Sequence, residues 1–248
     1  MVMEKSWKIR NRKCISQLSG FFTEKCQLLG TYVRNTTKKG AMFEQTLTKK
    51  AKDTLAILSR SHLLENAYLA GGTGAALQLG HRISIDFDFF TQEDFIPKIF
   101  AGKLSQLGPF EEEQTDKGTV TGEFRGIRFS LFVYKYPLLF PTIQYKSLHI
   151  ADIRDIAAMK IDAIATRGLK RDFIDLYFIC NAGYKLSELL SFYNQKYKTL
   201  SSNLIHIHKS LVFFDDAESD KMPRMIKTVR WQDIKKYFED EVKKLTVV

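Results

Sequence analysis

The sequence predicts an α+β fold, with a small mixed sheet flanked by helices and a helical C-terminal half. Strand-type segments are confined to the middle of the chain, within residues 67–134. Helix-type periodicity occupies residues 42–64 and almost everything after residue 151. A helix, then a sheet with interleaved helices, then a run of helices is an order typical of α+β proteins.

The first elements follow one another closely. Apolar side chains recur every three or four residues over 42–64, which predicts one or two helices. The short apolar run 67–70 predicts a strand that leads into a glycine pair. Small residues over 74–79 then predict a helix that ends at Gly80.

Strands and helices are both predicted in the next part of the chain. Strict alternation over 83–90 predicts a strand, and 94–107 predicts a helix closed by Gly-Pro. Residues 119–134 predict a β-hairpin with its turn at Arg-Gly, and the proline-containing segment 137–147 is expected to be a connector. From residue 151 to the end the pattern is helical.

Composition excludes several classes of protein. With 44% hydrophobic and 27% charged residues, the 248-residue chain is globular rather than disordered. Three cysteines at no metal-ligand spacing exclude a disulfide scaffold and favour a reducing compartment, so we expect a cytoplasmic protein. Because no apolar run approaches the roughly 18 residues that span a bilayer, no membrane association is expected.

The charge is unevenly spread. A net charge of +10 suggests an anionic partner, but residues 1–41 hold nine basic and two acidic residues, a net +7. The other 207 residues carry only +3. We therefore predict a basic N-terminal extension over 1–41, poorly ordered or added by an upstream start codon. We predict that a sheet-containing core follows over 42–150. A helical region over 151–248 would come next and contribute to the active site.

A glycine pair is the first functional motif. Gly71 and Gly72 stand between a predicted strand and a predicted helix, where backbone N–H groups can approach a phosphate. The spacing is not that of a dinucleotide-binding G-x-G-x-x-G motif, because Leu77 stands where the third glycine should be.

A pair of carboxylates follows on the next predicted strand. Alternation places Ser84, Asp86 and Asp88 on one face. Adjacent carboxylates repel each other unless a cation lies between them, and hard oxygen ligands suit Mg²⁺ or Mn²⁺ that also holds substrate phosphates. Asp-x-Asp alone is a weak signal, because it also occurs on exposed strand edges. Together with the glycine pair it predicts a phosphate and metal site.

Charged residues recur in the helical half. Lys160 falls within the apolar stripe of the predicted helix 152–166, so it must either extend to solvent or meet a phosphate or a carboxylate. Asp172 and Asp175 share one edge of the next helix. Taken singly, each is better explained as an N-cap or first-turn acid. Three cations precede or begin that helix: Arg167, Lys170 and Arg171.

These motifs resemble those of the AbiEii/AbiGii-type nucleotidyltransferase toxins, a family that includes the MenT toxins. The similarity lies in residues 69–90 and in residues 155–175, and it extends over about 42–180. It implies a nucleotidyltransferase-like fold. The implied activity is Mg²⁺-dependent transfer of a nucleotide from an NTP to an acceptor, which would be an RNA, at the 3′ end of tRNA. It also implies a toxin of a toxin–antitoxin or phage-abortive system, paired with a separately encoded antitoxin.

The resemblance assigns roles to individual residues. Asp86 and Asp88 would hold the metal. The implied catalytic residues are Asp86, Asp88, Lys160, Asp172 and Asp175. The implied nucleotide-binding residues are Gly71, Gly72, Thr73, Arg82, Ser84, Lys160, Arg167 and Lys170.

One departure leaves alternatives open. Many nucleotidyltransferases bring a third carboxylate from a neighbouring strand, but residues 126–134 contain no acid and Ser130 stands at that place. Either Asp172 and Asp175 supply the base, or the chain is a nucleotide-binding module that acts through a partner protein. A transferase that attaches NMP to a protein hydroxyl is the third possibility.

Other candidate residues are weaker. His206 and His208, two apart on a helix, point to different sides and are not expected to bind metal together. Cys180 is expected to lie in the core, and the acidic run 215–218 is expected to be a solvated loop.

Overall fold

A computed structural model describes residues 42–198 and 201–246. The predicted extension over 1–41 lies outside these residues. The fold is a seven-stranded mixed sheet flanked by helices and followed by a helical C-terminal half, as the sequence predicts for a nucleotidyltransferase-like α+β fold. No helix in the described ranges is both long enough and apolar enough to cross a membrane.

The sheet has the strand order β3-β4-β5-β2-β1-β7-β6. Its strands are β1 (Ala67–Leu69), β2 (Phe87–Thr91), β3 (Phe110–Asp116), β4 (Thr119–Phe124), β5 (Ile127–Val133), β6 (Ile143–Tyr145) and β7 (Leu148–Ile150). Strand β2 runs antiparallel to β1 and parallel to β5. Phe87 and Phe89 point to one buried face of β2, so Asp88 and Phe90 point to the other.

The helices cover both faces of the sheet. After a short 3₁₀ turn at Glu44–Thr46 they are α1 (Lys49–Ser61), α2 (Gly71–Leu79), α3 (Pro97–Leu107), α4 (Ile153–Arg167), α5 (Lys170–Asn181), α6 (Leu186–Tyr197), α7 (Ser201–Ser210), α8 (Asp215–Glu218) and α9 (Trp231–Thr246). One apolar core lies between the sheet and helices α1 and α3. A second core joins helix α2 to the C-terminal helices.

Several predicted boundaries need correction. Helix α2 begins at Gly71 rather than at residue 74, so the glycine pair forms its first turn. The strand predicted over 83–90 begins only at Phe87, because the backbone before it bonds elsewhere: Ile83 N–H donates to Arg224 O and Ser84 N–H to Thr46 O. The acidic run expected to be a loop is the short helix α8.

Candidate active site

The predicted site residues converge on a cleft of about 520 Å³ between the sheet and helix α4. The sheet wall comes from neighbouring strands, because Asp88 on β2 is in register with Ser130 on β5, and Ser130 with Thr121 on β4. Helix α4 forms the opposite wall, and the N-terminal turn of α5 closes one side. The lining residues are Gly71, Gly72, Arg82, Ser84, Asp86, Asp88, Phe90, Thr121, Arg128, Ser130, Phe132, Tyr134, Ile156, Met159, Lys160, Asp162, Ala163, Thr166, Arg167, Arg171 and Asp172.

Asp86 and Asp88 lie side by side in this cleft. Burial raises the pKa of Asp88, the Lys160 charge partly opposes the shift, and the neighbouring Asp86 carboxylate adds to it. The nearest cation to Asp86 is loosely placed, with Arg171 Nη1 at 3.9 Å from Asp86 Oδ2. Two oxygen-donor groups that repel each other form a site that a divalent cation would stabilise.

The donor set determines what kind of cation site this is. Among the described residues, no group of three or more His, Cys, Asp or Glu side chains is placed to hold a metal. Mg²⁺ is commonly bound by one or two carboxylates, with substrate phosphates and water completing its octahedron. The residues present therefore fit a cation that arrives with a phosphate-bearing substrate, held by Asp86 and Asp88.

The glycine pair brings the backbone of helix α2 against the Asp88 carboxylate and the Arg82 guanidinium. Gly71 has φ +58°, and a Cβ there would lie 2.5 Å from Asp88 Oδ2. A Cβ on Gly72 would collide with the Arg82 guanidinium. The first-turn N–H groups of a helix have no intrahelical acceptor and bear partial positive charge. The two glycines therefore let the Asp88 carboxylate and the Arg82 guanidinium lie directly against the start of α2.

Thr73 supports the site without lining it. Its hydroxyl donates to Asp86 O at 2.5 Å, and its Oγ1 lies 2.9 Å from Ser84 Oγ. Because the side chain is fully buried, it cannot touch a phosphate. Thr73 thus fixes the segment that carries Asp86 and Ser84.

A buried ion cluster stands behind the cleft, centred on Asp175. This carboxylate accepts hydrogen bonds from Arg82 Nε at 2.7 Å and Nη2 at 2.9 Å, and it lies 2.6 Å from Lys160 Nζ. His81 Nε2 lies 2.8 Å away. Burial alone would raise the pKa of Asp175, but the Arg82 and Lys160 charges hold it well below its usual range. Asp175 is fully buried and does not line the cleft.

Asp172 extends this cluster to the cleft surface. It accepts from Lys160 Nζ at 2.8 Å and from Arg167 Nε at 3.0 Å. Burial opposes ionisation here too, yet the charges of Lys160 and Arg167 lower the pKa of Asp172. Lys160 thus pairs with carboxylates, which are one of the two kinds of anion that the sequence predicts as its partner.

Lys170 does not lie with the other predicted nucleotide-binding residues. Its Nζ donates to the backbone carbonyls of Glu218 and Asp220, and it lies over the Trp231 ring. The reason is local: Lys170 begins helix α5, and its side chain turns back against the segment that follows α8. Its placement corrects the expectation that it reaches the cleft.

Two charged lining residues, Arg128 and Asp162, are not among those predicted from the sequence. Arg128 shares a face of β5 with Ser130 and Phe132, so the period-two alternation could have found it. Asp162 lies on the cleft side of α4, two residues from Lys160. Nothing in the sequence distinguishes it from a solvated helix position. His206 and His208 lie away from the cleft on α7, and Cys180 is buried in the helical core as predicted.

Two sequence comparisons relate this chain to known proteins. Residues 134–245 match a family model described as nucleotidyl transferase AbiEii toxin, type IV TA system. An uncharacterized protein of Aquifex aeolicus (strain VF5) is 35% identical over 202 residues, which cover 79% of this chain and 96% of the relative.

Two solved structures can be superposed on the chain at low identity. A protein from H. pylori assigned as a nucleotidyltransferase has a TM-score of 0.49 at 16% identity, over 79% of this chain and 95% of its own. MenT4, a nucleotidyltransferase toxin from Mycobacterium tuberculosis, has a TM-score of 0.46 at 15% identity, over 79% and 86%.

Proposed function

The chain belongs to the AbiEii family of nucleotidyltransferase toxins and is a nucleotidyltransferase, and from that premise we propose its metal, acceptor and biological setting. It transfers a nucleotide from an Mg²⁺- or Mn²⁺-bound NTP to an RNA, and it serves as the toxin of a toxin–antitoxin or phage-abortive system in the cytoplasm. The observation that carries the proposal is that Asp86 and Asp88 line one cleft together with Gly71 and Gly72 at the start of α2.

Asp86 and Asp88 would hold the divalent cation, as the donor set allows. When bound, such a cation neutralises charge on the attacked phosphate and on the departing pyrophosphate. The Gly71–Gly72 backbone would receive the triphosphate oxygens, since both glycines line the same cleft as the two carboxylates.

The buried ion cluster would supply fixed positive charge to the phosphates. Arg82, Lys160 and Arg167 are three cations against the two carboxylates of Asp172 and Asp175. The net positive charge is held in place by hydrogen bonds to these two buried carboxylates, so it needs no rearrangement when a phosphate binds. In this proposal Asp172 and Asp175 position the cations and do not accept a proton, because their lowered pKa values make them weak bases.

Mobile cations at the cleft mouth would add to this field. Arg128 and Arg171 both line the cleft, and about half or more of each side chain is exposed. Exposed guanidinium groups can rotate onto phosphate oxygens and bind them bidentately. We assign them to the phosphates of the NTP.

A basic segment next to the cleft supports an RNA acceptor. Lys221, Arg224 and Lys227 are exposed, and none of them enters an ion pair within the described ranges. The segment is hydrogen-bonded to the strip that carries Arg82, through Ile83 N–H to Arg224 O at 2.8 Å. Unpaired cations beside a transfer site suit a polynucleotide backbone, and the 3′ end of tRNA is the proposed acceptor.

The proposal is tested by transfer of labelled NTPs to total tRNA with Mg²⁺ present. We expect Asp86→Asn and Asp88→Asn each to reduce transfer at least about a hundredfold, because each removes charge that faces the phosphates. Asp53→Asn is the matched control, since Asp53 is exposed on helix α1 and lies outside the cleft.

The outcomes separate the candidate functions. Full transfer by Asp88→Asn would refute the carboxylate assignment. Label on a protein hydroxyl instead of on RNA would show that the acceptor is a protein. Mg²⁺–NTP binding without product on any acceptor would favour a binding module that acts through a partner.

A further inference from the structure

The inner end of the cleft is aromatic. Phe90 on β2 and Phe132 on β5 are register partners whose ring centroids lie 5.7 Å apart, and the Tyr134 ring lies 5.3 Å from Phe90. All three line the cleft, with Met159 on the α4 side. This row lies two residues along the strands from Asp88 and Ser130, a step of about 7 Å. An aromatic surface of tilted rings therefore stands about one sugar unit from the proposed phosphate site.

One carboxylate belongs to this aromatic end. Asp162 on α4 lines the cleft, is half-buried, and takes part in no ion pair among the described residues. The Tyr193 hydroxyl donates a hydrogen bond to it, and burial raises the pKa of its carboxyl. An ionised carboxylate has about four acceptor positions, so one hydroxyl leaves most of them available. A half-buried carboxylate in a substrate cleft can bind a ligand that brings N–H donors.

The inference that follows rests on the proposed nucleotide transfer. We propose that the aromatic end holds the base of the NTP, stacked on Phe90 and Phe132. We further propose that Asp162 selects bases with an amino group on the pairing edge over the corresponding oxo bases. An amino group donates to the carboxylate, whereas a carbonyl oxygen in the same place faces a negatively charged acceptor and leaves it unpaired.

Matched nucleotide pairs isolate this contact. CTP and UTP have rings of the same size. CTP has an amino group at ring position 4, whereas UTP has an oxo group there and a proton on N3. ATP and ITP differ in the same way at position 6. Calorimetric titration of the full chain with each Mg²⁺-nucleotide at about pH 8, where a carboxyl is ionised, measures the affinity ratio within each pair.

We expect the amino member to bind at least about tenfold more tightly in each pair that binds, the usual effect of one well-placed base contact. Asp162→Asn should bring the ratio to one or reverse it, because the amide can donate to an oxo group. Asp53→Asn, exposed on α1, should leave the ratio unchanged. Phe132→Leu should weaken both members of a pair by a similar factor, because stacking does not depend on the base edge.

Each outcome decides the inference. Equal affinity within the pairs in the unmodified chain would overturn it while the proposed transferase function stands, and this readout does not depend on any variant folding. An amino preference that persists in a folded Asp162→Asn protein would remove Asp162 as the selector. Failure of all four nucleotides to bind would overturn this inference, and the transfer assay with every labelled NTP decides the proposed function separately.

Discussion

Gly71 is the position at which the cleft leaves no room for a side chain. Its backbone is left-handed, and a Cβ would press on the Asp88 carboxylate. We expect Gly71→Ala to lower the free energy of unfolding by at least about 1–2 kcal/mol, the cost of that conformation for an L-residue. Nucleotide transfer should also fall sharply, because either Asp88 or the start of α2 must move. Urea unfolding and the transfer assay measure the two effects.

Gly102 provides the matched control for this substitution. It lies within helix α3, is exposed, and a Cβ there would meet no atom within 4 Å. Gly102→Ala should raise the free energy of unfolding by about 0.5–1 kcal/mol, because alanine has the better helix propensity. If both substitutions stabilised the protein and preserved transfer, the close approach of Gly71 to Asp88 would be wrong.

The sequence could identify the cleft residues on the strand but not all of those on the helices. Alternation over residues 83–90 predicts a shared face for Asp86 and Asp88, and both line the cleft although strand β2 begins only at Phe87. The direction of Lys170 depends instead on residues 218–220, which approach it only in the folded chain. Asp162 likewise lines the cleft only because, in the folded chain, the sheet faces its position on helix α4.

At the scale of elements, helices α4 and α6 are joined by a buried ion pair. Lys196 Nζ lies 2.9 Å from Asp155 Oδ1 and donates to Pro137 O at 2.6 Å. Asp155 also accepts from the backbone N–H groups of Leu139 and Phe140. The pair therefore fixes the connector between β5 and β6 as well as the two helices.

We expect Lys196→Met to lower the free energy of unfolding by about 3–5 kcal/mol, because it leaves Asp155 buried without its cation. Chemical denaturation measures the change. Lys209→Met, an exposed position on α7, is the control and should stay within about 0.5 kcal/mol of the unmodified protein. A small effect of Lys196→Met would show that the backbone N–H donors suffice for Asp155.

The elements that the sequence analysis missed share a physical reason. Strand β3 contains Glu111, Glu112 and Glu113 in succession, with no alternation, because it is an exposed edge strand. Strands β6 and β7 have three residues each, shorter than a periodic signal requires. Pairing with neighbouring strands defines all three, and that information is not local. The long helices α4 and α9 were predictable because each buries a continuous apolar stripe.

At the scale of the whole molecule, charge is concentrated where the proposed chemistry occurs. Residues 42–248 carry a net charge of only +3, yet five cations of the described part of the chain line the cleft: Arg82, Arg128, Lys160, Arg167 and Arg171. Most of the +10 total lies instead in residues 1–41, outside the described part of the chain. Bulk charge is therefore a poor guide to the site, and the local arrangement of cations and carboxylates is the better one.

The concentration of basic residues in 1–41 predicts how a chain without those residues behaves. The apolar cores and the cleft-lining residues that the structure describes lie between 42 and 246, so a chain that begins at Met42 should fold and bind Mg²⁺–NTP as the full chain does. Its affinity for RNA should decrease at low salt, because nine basic residues that can contact phosphates are removed. Thermal melting, calorimetry with NTP and a salt series of RNA binding measure these three properties. Loss of NTP binding in a folded shortened chain would place residues 1–41 within the catalytic domain, and failure to fold would make them part of its core.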